Sequence, residues 1–149
     1  MSHVMRKLLI AAVVEAALLP ALAQAQAGPL PSAKAPAGAE VYIESPRDGA
    51  VVGQDFTVRF GLKGMGVAPA GVEHPDTGHH HLLVDVTTLP AAGTPIPKDA
   101  THLHFGGGQT EARVHLAPGS HTLQLELADA NHVPFSPALV SKRITVHVK

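Results

Sequence analysis

Closely spaced histidines are the residues of this chain most able to do chemistry. The sequence has eleven histidines in 149 residues, and most gather at His79-His80-His81, His102-Leu103-His104, His121 and His132. Residues two apart on a β-strand point to the same side, so each H-x-H pair presents two imidazoles on one surface. Because imidazole is the commonest metal ligand in proteins, this spacing predicts a transition-metal site on a β-sheet.

The predicted ligands are the two H-x-H pairs, His79 with His81 and His102 with His104. They make one four-ligand site provided that their strands lie side by side. Imidazole suits copper, zinc and nickel, and a set of nitrogen ligands favours Cu(II) geometry over thiolate-type sites. The chain has no cysteine, which excludes thiolate ligands and cysteine nucleophiles. We therefore expect a copper or zinc ion as the cofactor, with copper as the first choice.

Three further residues extend this prediction. Asp85 shares the strand side of the first H-x-H pair, so it could ligate the metal or orient an imidazole ring. His132 follows the turn Asp129-Ala130-Asn131 and could reach the same end of the domain. Met65 lies between two glycines and offers a soft thioether ligand suited to Cu(I).

Two other functions stay open on the sequence. In the first, the histidines form a hydrogen-bond network in a module that contacts another periplasmic protein rather than a metal. In the second, a metal with an open coordination position activates water or oxygen in an enzyme. Glu111 and Asp129 are the carboxylates available as general bases, and no catalytic triad or phosphate-binding loop accompanies the histidines. The sequence therefore favours binding over catalysis.

The first 27 residues predict a secretory signal peptide. Arg6 and Lys7 precede an apolar run over residues 8–22, and small-residue cleavage sites of the A-x-A type follow up to Ala27. The run is shorter than the ~20 residues of a membrane-spanning helix, which argues against a membrane anchor. An uncut signal anchor is the alternative to a cleaved signal peptide. We expect an exported, periplasmic protein with no membrane attachment after cleavage.

The charges of the chain are balanced and scattered. Eleven basic and twelve acidic residues give a formal net charge of −1. No basic patch of the kind that binds nucleic acid is present in the sequence. We therefore expect no nucleic-acid partner.

The composition and residue pattern of the sequence change after residue 39. Residues 28–39 are rich in Pro, Ala and Gly and predict a flexible linker. Residues 40–149 alternate apolar and polar residues in short segments, with turn residues between them and no helical pattern. The predicted strands are 41–44, 56–62, 79–86, 102–105, 112–116, 122–128 and 144–148. This pattern predicts an all-β domain, an antiparallel two-sheet immunoglobulin-like sandwich of about seven strands, with a small closed barrel as the alternative.

Three stretches of the sequence are distinctive when taken together. They are residues 45–52 (SPRDGAVV), residues 61–85, which contain GHHHLL, and residues 102–129, which contain HLHFGGGQTE and PGSHTLQL. They resemble a bacterial family of exported proteins known as a domain of unknown function, some members of which are labelled rod-shape-determining. The first stretch is also similar to the opening strand of bacterial immunoglobulin-like modules. The resemblance implies a single periplasmic β-domain whose signature contains the same histidines, and it supplies no activity.

Overall fold

The computed structural model describes residues 27–149. The signal peptide predicted for residues 1–27 therefore lies, up to residue 26, outside the described residues. The described chain forms nine β-strands: β1 (Glu40–Ser45), β2 (Ala50–Val52), β3 (Asp55–Lys63), β4 (Gly66–Val67), β5 (Thr77–Val84), β6 (His102–His104), β7 (Glu111–His115), β8 (Gly119–Ala128) and β9 (Ile144–Val148). No helix within residues 27–149 has the length and apolar character needed to cross a membrane.

The strands form two sheets. A three-stranded sheet has the order β1-β3-β7, and a six-stranded sheet has the order β2-β9-β8-β5-β4, with β6 also paired to β5. The two sheets pack face to face through the apolar sides of their strands. The predicted all-β class and its immunoglobulin-like two-sheet arrangement are confirmed.

Two short strands were not predicted from the sequence. β2 pairs with β9 and β4 pairs with β5, and both pairs are parallel. The six-stranded sheet is therefore mixed rather than purely antiparallel. Segments of three and two residues are too short to show the alternation by which strands are recognised in a sequence.

The main core lies between the two sheets and follows the predicted alternation. Phe60 of β3 faces Leu82 of β5 and Leu125 of β8 across it, with the other buried core side chains around them. Residues of this core are 6% exposed or less. Because the chain has no disulfide, this buried apolar surface supplies most of the stability of the fold.

The opposite face of the six-stranded sheet is also buried. Leu83 and Glu126 point away from the main core, yet they are 1% and 0% exposed. The loops after β5 and β8 meet on this side, where the Ile96 amide donates to the His132 carbonyl at 2.8 Å. This second buried region contains the histidines described below.

The segment predicted as a linker has no strand and lies against the domain. The Leu30 amide donates to the Gly93 carbonyl at 2.8 Å, and the Ser136 amide donates to the Ala33 carbonyl at 2.9 Å. Backbone hydrogen bonds therefore join residues 28–39 to two loops of the sandwich.

Candidate metal centre

The two H-x-H segments lie on neighbouring strands. β5 and β6 are antiparallel, and their register places His81 directly opposite His104. The ring centroids of these two residues are 5.1 Å apart. His79 lies two residues before His81 on the same side of β5, with its ring centroid 4.8 Å from that of His81. The predicted site needs the two H-x-H strands to lie side by side, and they do. Their pairing brings three imidazoles together.

A fourth imidazole comes from the turn after β8. The Asp129 carboxylate accepts hydrogen bonds from the Asn131 and Val133 amides at 2.8 and 3.0 Å. His132 has a left-handed backbone with φ of +64°, which turns the chain back over the sheet. Its Nδ1 atom lies 3.1 Å from Nε2 of His79. The turn therefore carries the His132 ring onto the three strand histidines.

These four imidazoles, which we call the histidine cluster, have the spacing of a metal-ligand set. Each of His79, His81, His104 and His132 offers one nitrogen, and these nitrogens lie within 4.8 Å of one another. Metal–nitrogen bonds of about 2.0–2.1 Å place two ligands on opposite sides of a metal about 4 Å apart. The four nitrogens are therefore close enough together that they could hold one ion. The two β5 rings are fully buried and the other two are half-buried.

Burial favours the uncharged form of three rings of the cluster, those of His79, His81 and His104, at neutral pH. It lowers the pKa of His79 to about 4 and that of His81 to about 3, and repulsion between neighbouring imidazoles acts in the same direction. The pKa of His104 is lowered too, first by burial and then by His132. Neutral imidazole is the form that binds metals. At these three residues, protons would therefore compete little with a metal ion.

Most of the buried polar atoms without a partner in the described chain belong to the cluster or to Glu126, which is paired with it across β5 and β8. Within residues 27–149, the fully buried side-chain nitrogens and oxygens that lack a hydrogen bond belong to His79, His80, His81, His104 and Glu126. Each such atom costs about 1–3 kcal/mol, and native proteins contain few of them. A cation bound by the cluster would give several of these nitrogens a partner.

Two of the other predicted ligands are engaged outside the histidine cluster. His102 shares the strand side of His104, but its Nδ1 atom lies 2.9 Å from Oδ1 of Asp99, and it is not among the four clustered rings. Asp85 follows the far end of β5, where Oδ2 lies 2.7 Å from Nδ1 of His121. Met65 is half-buried in the turn between β3 and β4. Of the predicted set, the structure brings together His79, His81, His104 and His132.

His80 lies on the other face of β5, in the main core. Its ring centroid is 5.1 Å from that of Phe60, and burial lowers its pKa to about 4. It shares the strand side of Leu82, as the alternation of the sequence predicts. We therefore assign His80 to the packing between the sheets rather than to the histidine cluster.

Glu126 is a buried residue near the cluster that the sequence did not single out. It lies on β8 directly opposite His81 and is 0% exposed. Burial raises its pKa to about 7. Its position between Leu125 and Leu127 in an alternating strand indicates a solvent-facing side chain. The side chain is buried instead, because loop segments cover this face of the sheet.

Gly106 fits closely against the His104 ring. A Cβ atom at this position would lie 2.6 Å from Nε2 of His104 and 3.1 Å from Cβ of Ala70. The Gly106 carbonyl also accepts a hydrogen bond from the Ala70 amide at 2.8 Å. Glycine is therefore required here because a side chain would displace the imidazole.

Family comparison covers the part of the chain that holds this site. The model of a family described as "Domain of unknown function (DUF4399)" matches residues 58–149. The chain belongs to the DUF4399 family. The match begins within β3 and includes every residue of the histidine cluster, Gly106 and Glu126, so the site is contained in the DUF4399 domain. The resemblance to a domain of unknown function is thereby confirmed. No curated protein and no solved structure matches the chain.

Proposed function

We propose that this DUF4399 protein binds one transition-metal ion through His79, His81, His104 and His132. The observation that carries the proposal is the spacing of four ligand nitrogens within 4.8 Å. Three of these rings sit on two paired strands, which fixes their positions before any metal arrives. Their lowered pKa values support the same conclusion, because the rings need not lose protons to bind the ion at neutral pH.

Copper is the proposed metal, and zinc is the second choice. The cluster offers imidazole nitrogens, which suit both metals. Among divalent ions of the first transition row, Cu(II) binds most tightly to a given nitrogen site. The chain contains no cysteine, so the site lacks the thiolates that characterise many structural zinc sites.

The proposed role is metal binding in the periplasm, as a buffer or carrier of the ion. The charged and apolar pattern of residues 1–27 supports export. The role requires no reaction at the metal. It requires instead that the ion reach the cluster, of which His104 and His132 are the half-buried members.

A structural network is the second candidate function. The hydrogen bond of 3.1 Å between His79 and His132 supports it, because this bond joins the turn after β8 to β5 without any metal. In this alternative the ordered turn contacts another periplasmic protein. Both ring nitrogens of His81 lack a hydrogen-bond partner among the described residues, however, and a metal accounts for that ring better than a network does.

The proposal is tested by titrating the exported, untagged protein with Cu(II) or Zn(II) against a competing chelator. We expect one ion per chain, with strong loss of affinity in His81→Ala and in His104→Ala. His115→Ala is the matched control, because that ring is exposed on the three-stranded sheet beside Asp55. Absence of binding, or equal binding in all variants, would contradict the proposal.

A further inference from the structure

Glu126 is a fully buried carboxyl group beside the histidine cluster. It is 0% exposed, and neither of its oxygens has a hydrogen-bond partner within residues 27–149. Burying a carboxyl group without a partner is costly. The acceptor oxygen of its neighbour on the same side of β8, Gln124, is already engaged, because Arg143 donates to it at 3.3 Å. Glu126 therefore offers the free acceptor on this part of the strand.

The position of Glu126 relates it to one histidine in particular. In the register of β5 and β8, Glu126 is directly opposite His81, and His104 is opposite His81 on the other side. Directly opposed residues of antiparallel strands have Cβ atoms about 4.5–5.5 Å apart. The three side chains thus form a row across β8, β5 and β6, with His81 in the middle.

Metal coordination creates a requirement at His81 that this row can meet. A neutral imidazole that binds a metal through one nitrogen carries its proton on the other. Both ring nitrogens of His81 are buried without a partner in the described chain. The nitrogen that carries the proton would thus remain an unpaired buried donor, which is unfavourable. Metal-bound histidines commonly donate this second N–H to a carboxylate.

We infer that Glu126 is a positioning residue of the proposed metal centre: in the metal-bound protein its carboxyl oxygen accepts a hydrogen bond, absent from the metal-free structure, from the ring nitrogen of His81 that does not bind the metal. The inference rests on the proposed function. The hydrogen bond fixes which nitrogen of His81 is free for the metal and increases its basicity. The same bond gives the buried carboxyl group of Glu126 the partner that it otherwise lacks.

The inference is tested with Glu126→Leu and Glu126→Gln. Leu has a similar size and no polar atom, so it removes the unpaired carboxyl group while filling its space. We expect the metal-free melting temperature of Glu126→Leu to equal or exceed that of the wild type. We expect its affinity for Cu(II) or Zn(II) to fall about 10- to 100-fold. Glu126→Gln retains an acceptor oxygen and should recover part of that affinity.

Glu111→Leu is the matched control, because Glu111 is an exposed carboxylate on β7, paired with Arg59 at 3.3 Å. The Cu(II) electron paramagnetic resonance spectrum should change in Glu126→Leu and stay unchanged in the control. Wild-type affinity in Glu126→Leu would overturn the inference. So would a lower metal-free melting temperature with no recovery in Glu126→Gln, since that pattern describes a purely structural residue. Failure of the wild type to bind metal would overturn the proposed function itself, and the two failures are therefore distinguishable.

Discussion

His81 of β5 and His104 of β6 lie directly opposite each other in one antiparallel ladder. Their ring centroids are 5.1 Å apart. The backbone hydrogen bonds of that ladder hold the two imidazoles in place, so their approach does not depend on a flexible loop. A ligand pair built on paired strands is held more rigidly than one built on loops. The two imidazoles are therefore already in place in the metal-free protein, as the proposed function requires.

Metal binding should stabilise the folded protein. A ligand that binds only the folded state adds about 2.7 kcal/mol when its free concentration is 100 times its Kd. We expect Cu(II) or Zn(II) to raise the melting temperature of the wild type by several degrees, as measured by calorimetry. The rise should disappear in His81→Ala and in His104→Ala, and it should persist in His147→Ala, whose ring bonds Ser120 at an exposed position. An equal rise in every variant would show that the metal acts elsewhere.

A methyl group at Gly106 should weaken metal binding. The Cβ atom of Gly106→Ala would lie 2.6 Å from Nε2 of His104, so the ring must move away from the other ligands. We expect the Kd for Cu(II) to rise about tenfold or more, which corresponds to about 1.4 kcal/mol. Gly107→Ala is the matched control, because its Cβ would meet the flexible Gln109 side chain at 3.2 Å. Equal affinities in the two variants would contradict the assigned role of Gly106.

The spacing of the histidines predicted part of the site, and the register of the strands supplied the rest. The H-x-H period placed His79 with His81 and His102 with His104 on common strand sides, which needs no tertiary information. The ring of His102, however, is engaged by Asp99 at 2.9 Å. Its place in the cluster is taken by His132, which depends on a left-handed turn with φ of +64°. Such a turn is not visible in the spacing of residues.

The burial of Glu126 shows a second limit of reading alternation in a sequence. The period of two correctly places Leu125 and Leu127 on the side opposite to Glu126. It then predicts a solvent-facing glutamate, because one face of an antiparallel sheet is commonly exposed. Here the loops after β5 and β8 cover that face. Their contacts are between residues far apart in the sequence, so no local pattern reveals them.

The metal-free protein should lose stability on acidification. Burial lowers the folded-state pKa of His80 to about 4, whereas the pKa of an unfolded histidine is about 6.5. Between these values the unfolded chain binds more protons, so the free energy of unfolding falls as the pH falls. His79 and His81 act in the same direction. Glu126 and His121, whose pKa values are raised, act in the opposite direction, but the three buried histidines outweigh them.

Urea denaturation at pH 7.5 and at pH 4.5 measures this effect. We expect a clearly lower midpoint at pH 4.5. His80→Leu replaces a buried imidazole by an apolar side chain in the main core. In this variant the difference between the free energies of unfolding at the two pH values should decrease by up to about 3 kcal/mol. A midpoint that stays constant or increases on acidification would contradict the neutral, buried state of these rings.

Asp85 should contribute to stability and not to metal binding. His121 has Nδ1 at 2.7 Å from Oδ2 of Asp85 and Nε2 at 2.9 Å from the Ala117 carbonyl. Both partners are acceptors, so the two hydrogen bonds together favour the doubly protonated, cationic ring. The bond to Asp85 raises the pKa of His121. The pair therefore stabilises the fold fully below the unfolded pKa of about 6.5, and this contribution is lost as the pH rises through the folded pKa.

Asp85→Asn removes the carboxylate while tolerating the left-handed backbone of this position, where φ is +57°. We expect destabilisation of about 1 kcal/mol at pH 6 and less at pH 9, with unchanged affinity for Cu(II). Asp55→Asn, at the exposed pair with His115, should have little effect at either pH. Weaker metal binding in Asp85→Asn would contradict this and would support the predicted role of Asp85 in the metal centre.

The metal content of the protein as the cell makes it tests the central claim most directly. The untagged protein would be purified from the periplasm and its metals measured by mass spectrometry, beside the variant His81→Ala/His104→Ala prepared in the same way. The account predicts close to one copper or zinc ion per wild-type chain and almost none in the variant. A wild-type protein that carries no metal and takes up none on titration would contradict it.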